Sequence, residues 1–264
     1  MKRFSYIFTY RQIAQDRYEN LIKVLDWLNT IDDDFECIIV EQDKDKKLKL
    51  PDKEYKFDII HKWYFNDKLF NRSWGFNLAT KLANTNILFF ADSDMIVPQK
   101  SIIECTNLLI DDVLDSVKPF NKLIDLNSNQ LRELDVTQDV CNIVLEKGEN
   151  NPLRGGWGYG SGIVAYTKKA LEKIHGWDER FEGWGGEDDV QYQKTRLLLR
   201  SKMLNYKCYH LYHTRGKNNG TNLHEHYKIN LNLYYRYTRR PQLILSEMKG
   251  NNKADPNRYR SLKI

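Results

Sequence analysis

The chain has 264 residues, 41% of them hydrophobic and 29% charged, so it can bury a core and is neither disordered nor fibrous. Its formal net charge of +5 comes from scattered charges of both signs, which excludes a dedicated nucleic-acid-binding protein. The four cysteines form no CxxC pair, so a zinc site and a disulfide framework are disfavoured and a cytoplasmic location is expected. The first apolar stretch, Phe4–Tyr10, is too short for a signal peptide or a membrane span.

The first part of the chain alternates between apolar strands and amphipathic helices. Strands are predicted at residues 4–10, 35–40, 59–65 and 86–91, helices at 17–28 and 71–83, and a solvated loop at 44–56. This alternation predicts an α/β fold with a three-layer α/β/α arrangement around a mostly parallel sheet. In such sheets ligands bind beyond the carboxyl ends of the strands, so residues 9–11, 41–43 and 92–94 are expected at one edge.

The second part of the chain begins with residues 101–150, in which no motif is recognisable. Five glycines then fall within residues 154–162, ahead of a predicted strand at 163–166 and a helix at 168–174. A phosphate-binding loop is disfavoured, because the glycines precede a strand and no Gly-Lys-Ser/Thr follows them. A further helix is predicted to run to residue 199 and a strand around 203–208. Residues 214–222 lack periodicity and predict a mobile loop able to close over a ligand.

Two aspartates follow the strand predicted at residues 86–91, in the sequence Asp92-Ser93-Asp94. Carboxylates two residues apart on a turn can face one cation, and such hard oxygen ligands suit Mg²⁺ or Mn²⁺ bound to a diphosphate. By itself the motif is a weak signal, since aspartates also occupy turns for local reasons.

A more specific pattern is Gly183-Trp184-Gly185-Gly186-Glu187-Asp188-Asp189, which leads into a helix. Three acids at a helix start also complement the helix dipole. Capping does not require the preceding Trp-Gly-Gly, however, so the pattern favours a functional site.

His210 and His213 follow the strand predicted around residues 203–208 and lie three residues apart. They can bind one metal ion together, although either can also be a satisfied core histidine.

These motifs together resemble the GT-A glycosyltransferases, and within them the β-1,4-galactosyltransferase group and the related chondroitin-polymerase type. The resemblance covers roughly residues 4–213, with the motifs in the order and at the spacings typical of the family. It is carried by Phe70-Asn71-Arg72, Asp92-Ser93-Asp94 with Pro98, residues 159–165, Gly183 to Asp189, and His210 to His213.

The resemblance implies a role for each matching residue. Asp94 and His213 are expected to bind the metal, with His210 standing where the galactosyltransferases carry a methionine, and Asp188 is the expected catalytic base. The expected acceptor residues are Trp184, Gly185, Gly186, Glu187 and Asp189. The expected donor-binding residues are Thr9, Tyr10, Arg11, Glu41, Asp43, Arg72, Asp92, Ser93 and Tyr159, of which Arg11 and Arg72 contact the diphosphate.

The function implied is an inverting transfer of a hexose from a UDP-sugar to a hydroxyl of a glycan or glycoconjugate, with Mn²⁺ or Mg²⁺ as cofactor. Tyr159 stands where the galactosyltransferases carry a residue that crowds an N-acetyl group, so UDP-galactose or UDP-glucose is favoured. One domain is expected over residues 1–235, with a nucleotide-binding half at 1–100 and an acceptor- and metal-binding half at 151–235. Residues 236–264 are expected to form a basic, solvated tail that can touch an anionic surface such as a membrane.

Three alternatives stay open at the level of sequence. One is a retaining or N-acetylhexosaminyl transferase of the same fold that acts on protein or polysaccharide, although such enzymes typically carry asparagine at the position of Asp188. Another is a metal-dependent phosphohydrolase, since clustered acids and histidines also suit hydrolysis. The third is a catalytically silent carbohydrate-binding relative.

Overall fold

Strands and helices alternate along most of the chain in the computed structural model, which describes residues 1–138, 159–214, 225–240, 243–248 and 253–260. The described elements, in chain order, are β1 Phe4–Tyr10, α1 Gln15–Leu28, β2 Phe35–Asp43, β3 Asp58–Phe65, α2 Arg72–Leu82, β4 Ile87–Ala91, β5 Met95–Ile96, α3 Gln99–Ile110, β6 Ser116–Lys118, β7 Lys122–Asp125, α4 Ser128–Glu133, β8 Ile163–Thr167, α5 Lys168–Lys173, α6 Glu187–Leu198, β9 Ser201–Met203, β10 Lys207–His210, α7 Glu225–Arg239 and α8 Leu243–Met248.

The central sheet has seven strands in the order β3-β2-β1-β4-β8-β6-β9. Strands β3, β2, β1 and β4 are parallel to one another, β8 is antiparallel to both of its neighbours, and β9 is parallel to β6. Only β8 therefore runs against the common direction, which confirms the expected mostly parallel sheet. A second sheet of three short strands, in the order β5-β10-β7, lies at the carboxyl end of β4.

Two hydrophobic clusters cover the two faces of the central sheet. Along β1, Tyr6 and Phe8 belong to a cluster with apolar residues of α1 and α3, whereas Ile7 belongs to a cluster with α2 and α5. Successive side chains of a strand point to opposite faces, so α1 and α3 form one outer layer and α2 and α5 the other. The three-layer α/β/α arrangement is confirmed. The carboxyl ends of β1, β2 and β4 lie at the same edge of the sheet.

The predicted elements hold closely in the first part of the chain, but the second part differs in two respects. The strand expected around residues 203–208 is two strands, β9 in the large sheet and β10 in the small one. Strands β6 and β7, within residues 101–138, were not predicted. Each has only three or four residues, which is too short to produce a recognisable alternation of apolar side chains.

The expected solvated tail after residue 235 is wrong for the described residues. Helix α7 runs through position 235 to Arg239, and residues 253–260 pack against α2. The Nε1 of Trp74 donates to the carbonyl of Asp255 at 2.8 Å, and Ala254 is buried in the core. Arg258 pairs with Glu179 at 3.2 Å, so this basic residue is neutralised by the protein itself.

The expected mobile loop at residues 214–222 and the glycines at 155, 156 and 158 lie outside the described residues, except for Thr214. Among the helices that are described, none is long and apolar enough to cross a membrane.

Candidate active site

The three expected metal ligands lie together at the junction of the two sheets. Asp94 is in the turn between β4 and β5, and His210 ends β10, which pairs with β5 so that His210 lies opposite Met95. The amide of Leu211 donates to the carbonyl of Asp94 at 2.8 Å and closes this pairing. One potential ligand atom from each of Asp94, His210 and His213 lies within 4.8 Å of the others.

Hydrogen bonds orient the two imidazoles towards Asp94. The Nδ1 of His210 is 2.7 Å from Oδ1 of Asp125, which leaves its Nε2 at 3.7 Å from Oδ1 of Asp94. The Nε2 of His213 is 3.5 Å from the other oxygen, Oδ2 of Asp94. An imidazole that bonds a carboxylate through one nitrogen and presents the other is the usual arrangement of a metal-binding histidine.

The charges within this cluster stabilise an ionised carboxylate. Burial opposes ionisation of Asp94, but the hydrogen bond and charge of His210, with Arg17 and His213, outweigh it and lower the pKa of Asp94. Burial also opposes protonation of His210, yet its bonds to Asp125 and Asp94 raise its pKa to about 9. Burial and the charge of Arg17 lower the pKa of His213, which favours the neutral form that binds metals.

The donor set fits a divalent transition-metal ion. One carboxylate and two imidazoles offer three ligand atoms, and imidazole nitrogen favours a transition-metal ion over Mg²⁺, which prefers oxygen ligands. Three protein ligands leave further coordination positions open to a substrate.

The expected base, Asp188, lies in the first turn of α6, and its carboxylate is 27% exposed. Arg72, the first residue of α2, bridges it to the aspartate motif. The Nη1 of Arg72 donates to Oδ1 of Asp188, and its Nε donates to Oδ1 of Asp92 at 3.0 Å. The guanidinium also lies over the ring of Phe76, at 4.7 Å from the ring centre. Arg72, expected at the donor diphosphate, thus holds the two acidic motifs together.

Several charges act on Asp188. Burial raises the pKa of Asp188, the neighbouring Arg72 lowers it, and the carboxylates of Glu187 and Asp92 raise it again, with a net rise. Burial likewise raises the pKa of Glu187 and of Asp189. A carboxylate with a raised pKa accepts a proton more readily than an ordinary aspartate, which suits a general base.

Left-handed backbone shapes the loop before α6. Gly185 and Gly186 have φ values of +99° and +92°, in the region that disfavours other residues. A Cβ on Gly186 would lie 2.6 Å from Cε1 of Phe181. This conformation presents Trp184, which is 47% exposed, on the surface four residues before Asp188. The expected acceptor residues Glu187 and Asp189 follow in the same helical turn as Asp188.

Helix α7 supports the same loop. The Nδ2 of Asn230 donates to the carbonyls of Glu182, at 2.9 Å, and Trp184, at 3.1 Å. The ring of Tyr227 stacks on that of Trp184, with centroids 5.4 Å apart and 27° between the planes. Neither residue was expected from the sequence, because no motif marks α7.

Several expected donor-binding side chains are engaged in the protein itself. Arg11 donates from all three of its nitrogens to the carbonyls of Gln42, Lys68 and Asn66. The carboxylate of Glu41 accepts from the amides of Lys47 and Leu48 with one oxygen and contacts His61 with the other.

Other side chains at this edge are engaged in the same way. Thr9 accepts from Gln42, and Asp43 binds the amide of Lys44 and the ammonium of Lys47. Tyr10 is buried, and Ser93 is half-buried in the turn between Asp92 and Asp94. These strand-end groups therefore build the edge of the sheet, and in this structure the side chains of Arg11 and Glu41 bind groups of the protein itself.

The structure places Tyr159, which was expected beside the donor sugar, in the core. Its side chain is only 3% exposed, because it packs in the core against Tyr192. Its hydroxyl donates to Oγ of Ser116 at 3.0 Å. With its ring in the core, Tyr159 gives no reason to prefer UDP-galactose or UDP-glucose as the donor.

A buried lysine, Lys118, lies beneath the site and was not predicted either. Its ammonium donates to the carbonyls of Tyr159 and Ser161 and lies 4.2 Å from the ring centre of Phe120. Burial lowers the pKa of Lys118 to about 8. The segment that it holds packs against α6, because a Cβ on Gly160 would lie 2.6 Å from the carbonyl oxygen of Asp188. A lone lysine in a three-residue strand gives no signal in the sequence.

Residues 147–214 match the model of a family described as the N-terminal domain of galactosyltransferase. This segment contains Asp188, His210 and His213. No curated protein matches the chain significantly in sequence.

Solved structures of two glycosyltransferases share the fold. The structure of residues 1–349 of Staphylococcus aureus TarS aligns with a TM-score of 0.53 and 16% identity, covering 80% of this chain and 60% of that one. The same fragment in complex with UDP-GlcNAc aligns with a TM-score of 0.58 and 16% identity, covering 95% of this chain and 72% of that one. The catalytic domain of Drosophila β1,4-galactosyltransferase 7 in complex with xylobiose aligns with a TM-score of 0.50 and 12% identity, covering 88% and 80%.

The chain thus spans 60% of the first of these structures and 43% of a longer TarS structure. At these identities the structures establish the fold, and the matched segment adds the family signal in the half that carries Asp188 and the two histidines. The chain therefore has the GT-A fold of these glycosyltransferases, and its residues 147–214 are similar to the galactosyltransferase family.

Proposed function

We propose that the chain transfers a sugar from a UDP-sugar to a hydroxyl group of a glycan or glycoconjugate, with inversion at the anomeric carbon and dependence on a divalent metal ion. The observation that carries the proposal is the joining of two sites by Arg72. Its guanidinium connects Asp188 to Asp92, two residues from the ligand cluster of Asp94, His210 and His213. A base can take the proton of the acceptor hydroxyl, and a cation can stabilise the leaving diphosphate. The two sites together at one sheet edge therefore suit a glycosyl transfer.

The proposed donor is a UDP-sugar. TarS has been crystallised with UDP-GlcNAc and with UDP, which supports a uridine nucleotide for this fold. With Tyr159 buried, N-acetylhexosamines are admitted as donors alongside the hexoses expected from the sequence. Of the two arginines expected to bind the donor, Arg72 contacts both acidic motifs and is therefore the better placed to approach a diphosphate.

Asp94, His210 and His213 would hold the metal ion, for which Mn²⁺ is the best fit. When bound, such an ion neutralises the charge that develops on the leaving diphosphate. Asp188 accepts the proton of the acceptor hydroxyl as that oxygen attacks the anomeric carbon. Trp184 covers the apolar face of the acceptor sugar, since an exposed aromatic ring suits the C–H groups of a pyranose. The xylobiose in the galactosyltransferase 7 structure supports a glycan acceptor.

Inversion follows from the proposed chemistry. A single base deprotonates the acceptor, which then attacks opposite the diphosphate, so an α-linked donor yields a β-linked product. NMR of the product's anomeric proton tests this point, and an α-product from an α-donor would identify a retaining enzyme instead.

A thermal-shift screen tests donor and metal together. UDP-sugars and GDP-sugars are compared with and without Mn²⁺, using the intact chain and Asp94→Asn. A ligand at 100 times its Kd stabilises the folded state by about 2.7 kcal/mol. We expect a shift only with a UDP-sugar plus Mn²⁺, and a much smaller shift in the variant. No response to any nucleotide sugar would overturn the proposal.

Hydrolysis of phosphoesters is the principal competing activity. A phosphohydrolase would release phosphate or UMP from the donor without an acceptor, at a rate independent of added glycans. The proposed transferase requires the acceptor for rapid turnover. Measuring the release of UDP, UMP and phosphate with and without a glycan library separates the two activities.

A further inference from the structure

Arg17, on helix α1, contacts the metal-ligand cluster of Asp94, His210 and His213. It is the third residue of α1, and its side chain is 19% exposed. Its Nη1 donates to Oδ2 of Asp94 at 2.5 Å. No motif in the sequence marks this residue, and the proposed transfer gives it no contact with the substrates.

The start of α1 also holds the chain segment that carries His213. The Nδ2 of Asn20 donates to the carbonyl of Tyr212 at 3.0 Å, and the carboxylate of Asp16 accepts from the amide of Thr214. Arg17 lies between these two contacts in sequence. Its position beside Asp94 is therefore built into the packing of α1 against the residues after β10.

The guanidinium faces an oxygen that a metal ion also needs. Oδ2 of Asp94 is shared between Arg17 and the Nε2 of His213, which lies 3.5 Å away, whereas Oδ1 faces His210. The Nε of Arg17 is buried and has no hydrogen-bond partner among the described residues. The Nη1 of Arg17 is thus bonded to Asp94, while its Nε donates to no group among the described residues.

We propose that Arg17 makes metal binding depend on the nucleotide: it competes with the divalent cation for Asp94 when no nucleotide is bound, and donates to the diphosphate when metal and nucleotide bind together. This inference rests on the proposed function, because it assumes that the cluster binds a metal ion and that the donor carries a diphosphate.

The balance of charge explains the coupling. Arg17 already neutralises Asp94, and both histidines are neutral when they bind a metal, so the Asp125 carboxylate beside His210 compensates only one of the two charges of a divalent cation bound alone. The diphosphate supplies the negative charge that removes this penalty and gives the guanidinium a new acceptor. Each ligand then raises the affinity of the other by the same factor, as linkage requires.

The test measures Mn²⁺ affinity directly, by electron paramagnetic resonance of the free ion, with and without UDP. In the unaltered chain we expect weak binding of Mn²⁺ alone and a gain on adding UDP within the usual range of coupling, about 5- to 150-fold. Arg17→Gln should bind Mn²⁺ alone about tenfold more tightly, and the gain on adding UDP should shrink by a similar factor.

Three further variants isolate the charge. Arg17→Met removes the charge and keeps an apolar stem, so it should reproduce the effect of Arg17→Gln. Arg17→Lys retains the charge and should stay close to the unaltered chain. Lys23→Gln removes one positive charge from the same helix away from the cluster and should change neither constant. Thermal unfolding of each variant verifies that α1 is intact.

The outcomes separate this inference from the proposed function. If the unaltered chain binds no Mn²⁺ in either condition, the metal dependence of the proposed function fails, and the inference fails with it. If the unaltered chain binds Mn²⁺ but Arg17→Gln and Arg17→Met bind it equally well or more weakly, Arg17 is only a structural partner of Asp94. The proposed function then stands and this inference is overturned.

Discussion

Arg72 donates a hydrogen bond to Asp188 across 116 residues of sequence, and the same guanidinium donates to Asp92. This contact connects the turn after β4 to the first turn of α6, so two acidic motifs share one buried cation. It also gives Asp188 a positive neighbour that opposes the rise in pKa caused by burial. The reactivity of the proposed base therefore depends on Arg72.

Replacing Asp188 tests its role as the base. Asp188→Asn preserves the size of the side chain and an acceptor for Arg72 but cannot take a proton. We expect kcat to fall by about 10²–10⁴-fold while UDP and Mn²⁺ bind nearly as before. Steady-state kinetics and calorimetry measure the two quantities. Asp45→Asn, in an exposed loop, is the control, and full activity in Asp188→Asn would identify another base.

The pH dependence of transfer should reflect the raised pKa of Asp188. The base must be ionised to work, so kcat/KM should rise as the pH increases through a pKa above the ordinary aspartate value of about 3.9. Arg72→Met removes the charge that lowers this pKa, while Glu187 and Asp92 still raise it. The rise should therefore move to higher pH in the variant. Profiles are recorded at saturating Mn²⁺, and a shift to lower pH would contradict the assignment.

Asp125 should control metal affinity through His210. Asp125→Asn weakens the acceptor that holds Nδ1 of His210, 2.7 Å away, and with it the basicity of the ring. Loss of such a partner typically reduces metal affinity by about 10–100-fold. The Kd for Mn²⁺ in the presence of UDP measures the effect. Asp115 is a suitable control, because its exposure of 23% is close to the 19% of Asp125 and it pairs with Arg200 elsewhere. Equal losses in both variants would point to a general charge effect.

The stacked pair of Trp184 and Tyr227 should govern acceptor binding. Trp184→Leu removes the exposed ring, and Tyr227→Leu removes the ring that supports it. An aromatic pair contributes about 0.5–1.5 kcal/mol beyond its buried area, so Tyr227→Leu should raise the acceptor KM by roughly 2- to 13-fold. Trp184→Leu should raise it more, and the donor KM should stay constant in both. Tyr235→Leu, on an exposed position of the same helix, is the control.

Two glycines of the loop before α6 allow a matched test of stability. Gly183 and Gly186 both have positive φ, so an alanine at either is strained by about 1–3 kcal/mol. A Cβ on Gly183 would make only an ordinary contact, 3.4 Å from Leu69, whereas one on Gly186 would lie 2.6 Å from Phe181. Urea denaturation should therefore show a larger loss for Gly186→Ala. Equal losses would mean that the Phe181 ring moves aside freely.

The sequence by itself determines the framework of this protein. Strands β1, β2 and β4 appear as largely apolar runs because they are covered on both faces, and α1 and α2 are recognisable from the spacing of their buried side chains. The same alternation determines that Asp92, Asp94 and the residues after β1 and β2 share one edge of the sheet. The capacity of Asp94, His210 and His213 to bind a metal can also be recognised in the sequence, because their carboxylate and imidazole groups stand at or shortly after the ends of strands.

Only the tertiary structure decides what each polar group at that edge contacts. Arg11 and Glu41 bind main-chain groups, Tyr159 turns into the core, and Arg17, Asp125 and Asn230 reach the site from elements without a motif. The physical reason is that these contacts join residues that lie far apart in the sequence. Side-chain periodicity reports which face of an element is buried, but a hydrogen bond between residues such as Arg17 and Asp94, 77 positions apart, arises only from the way the elements pack.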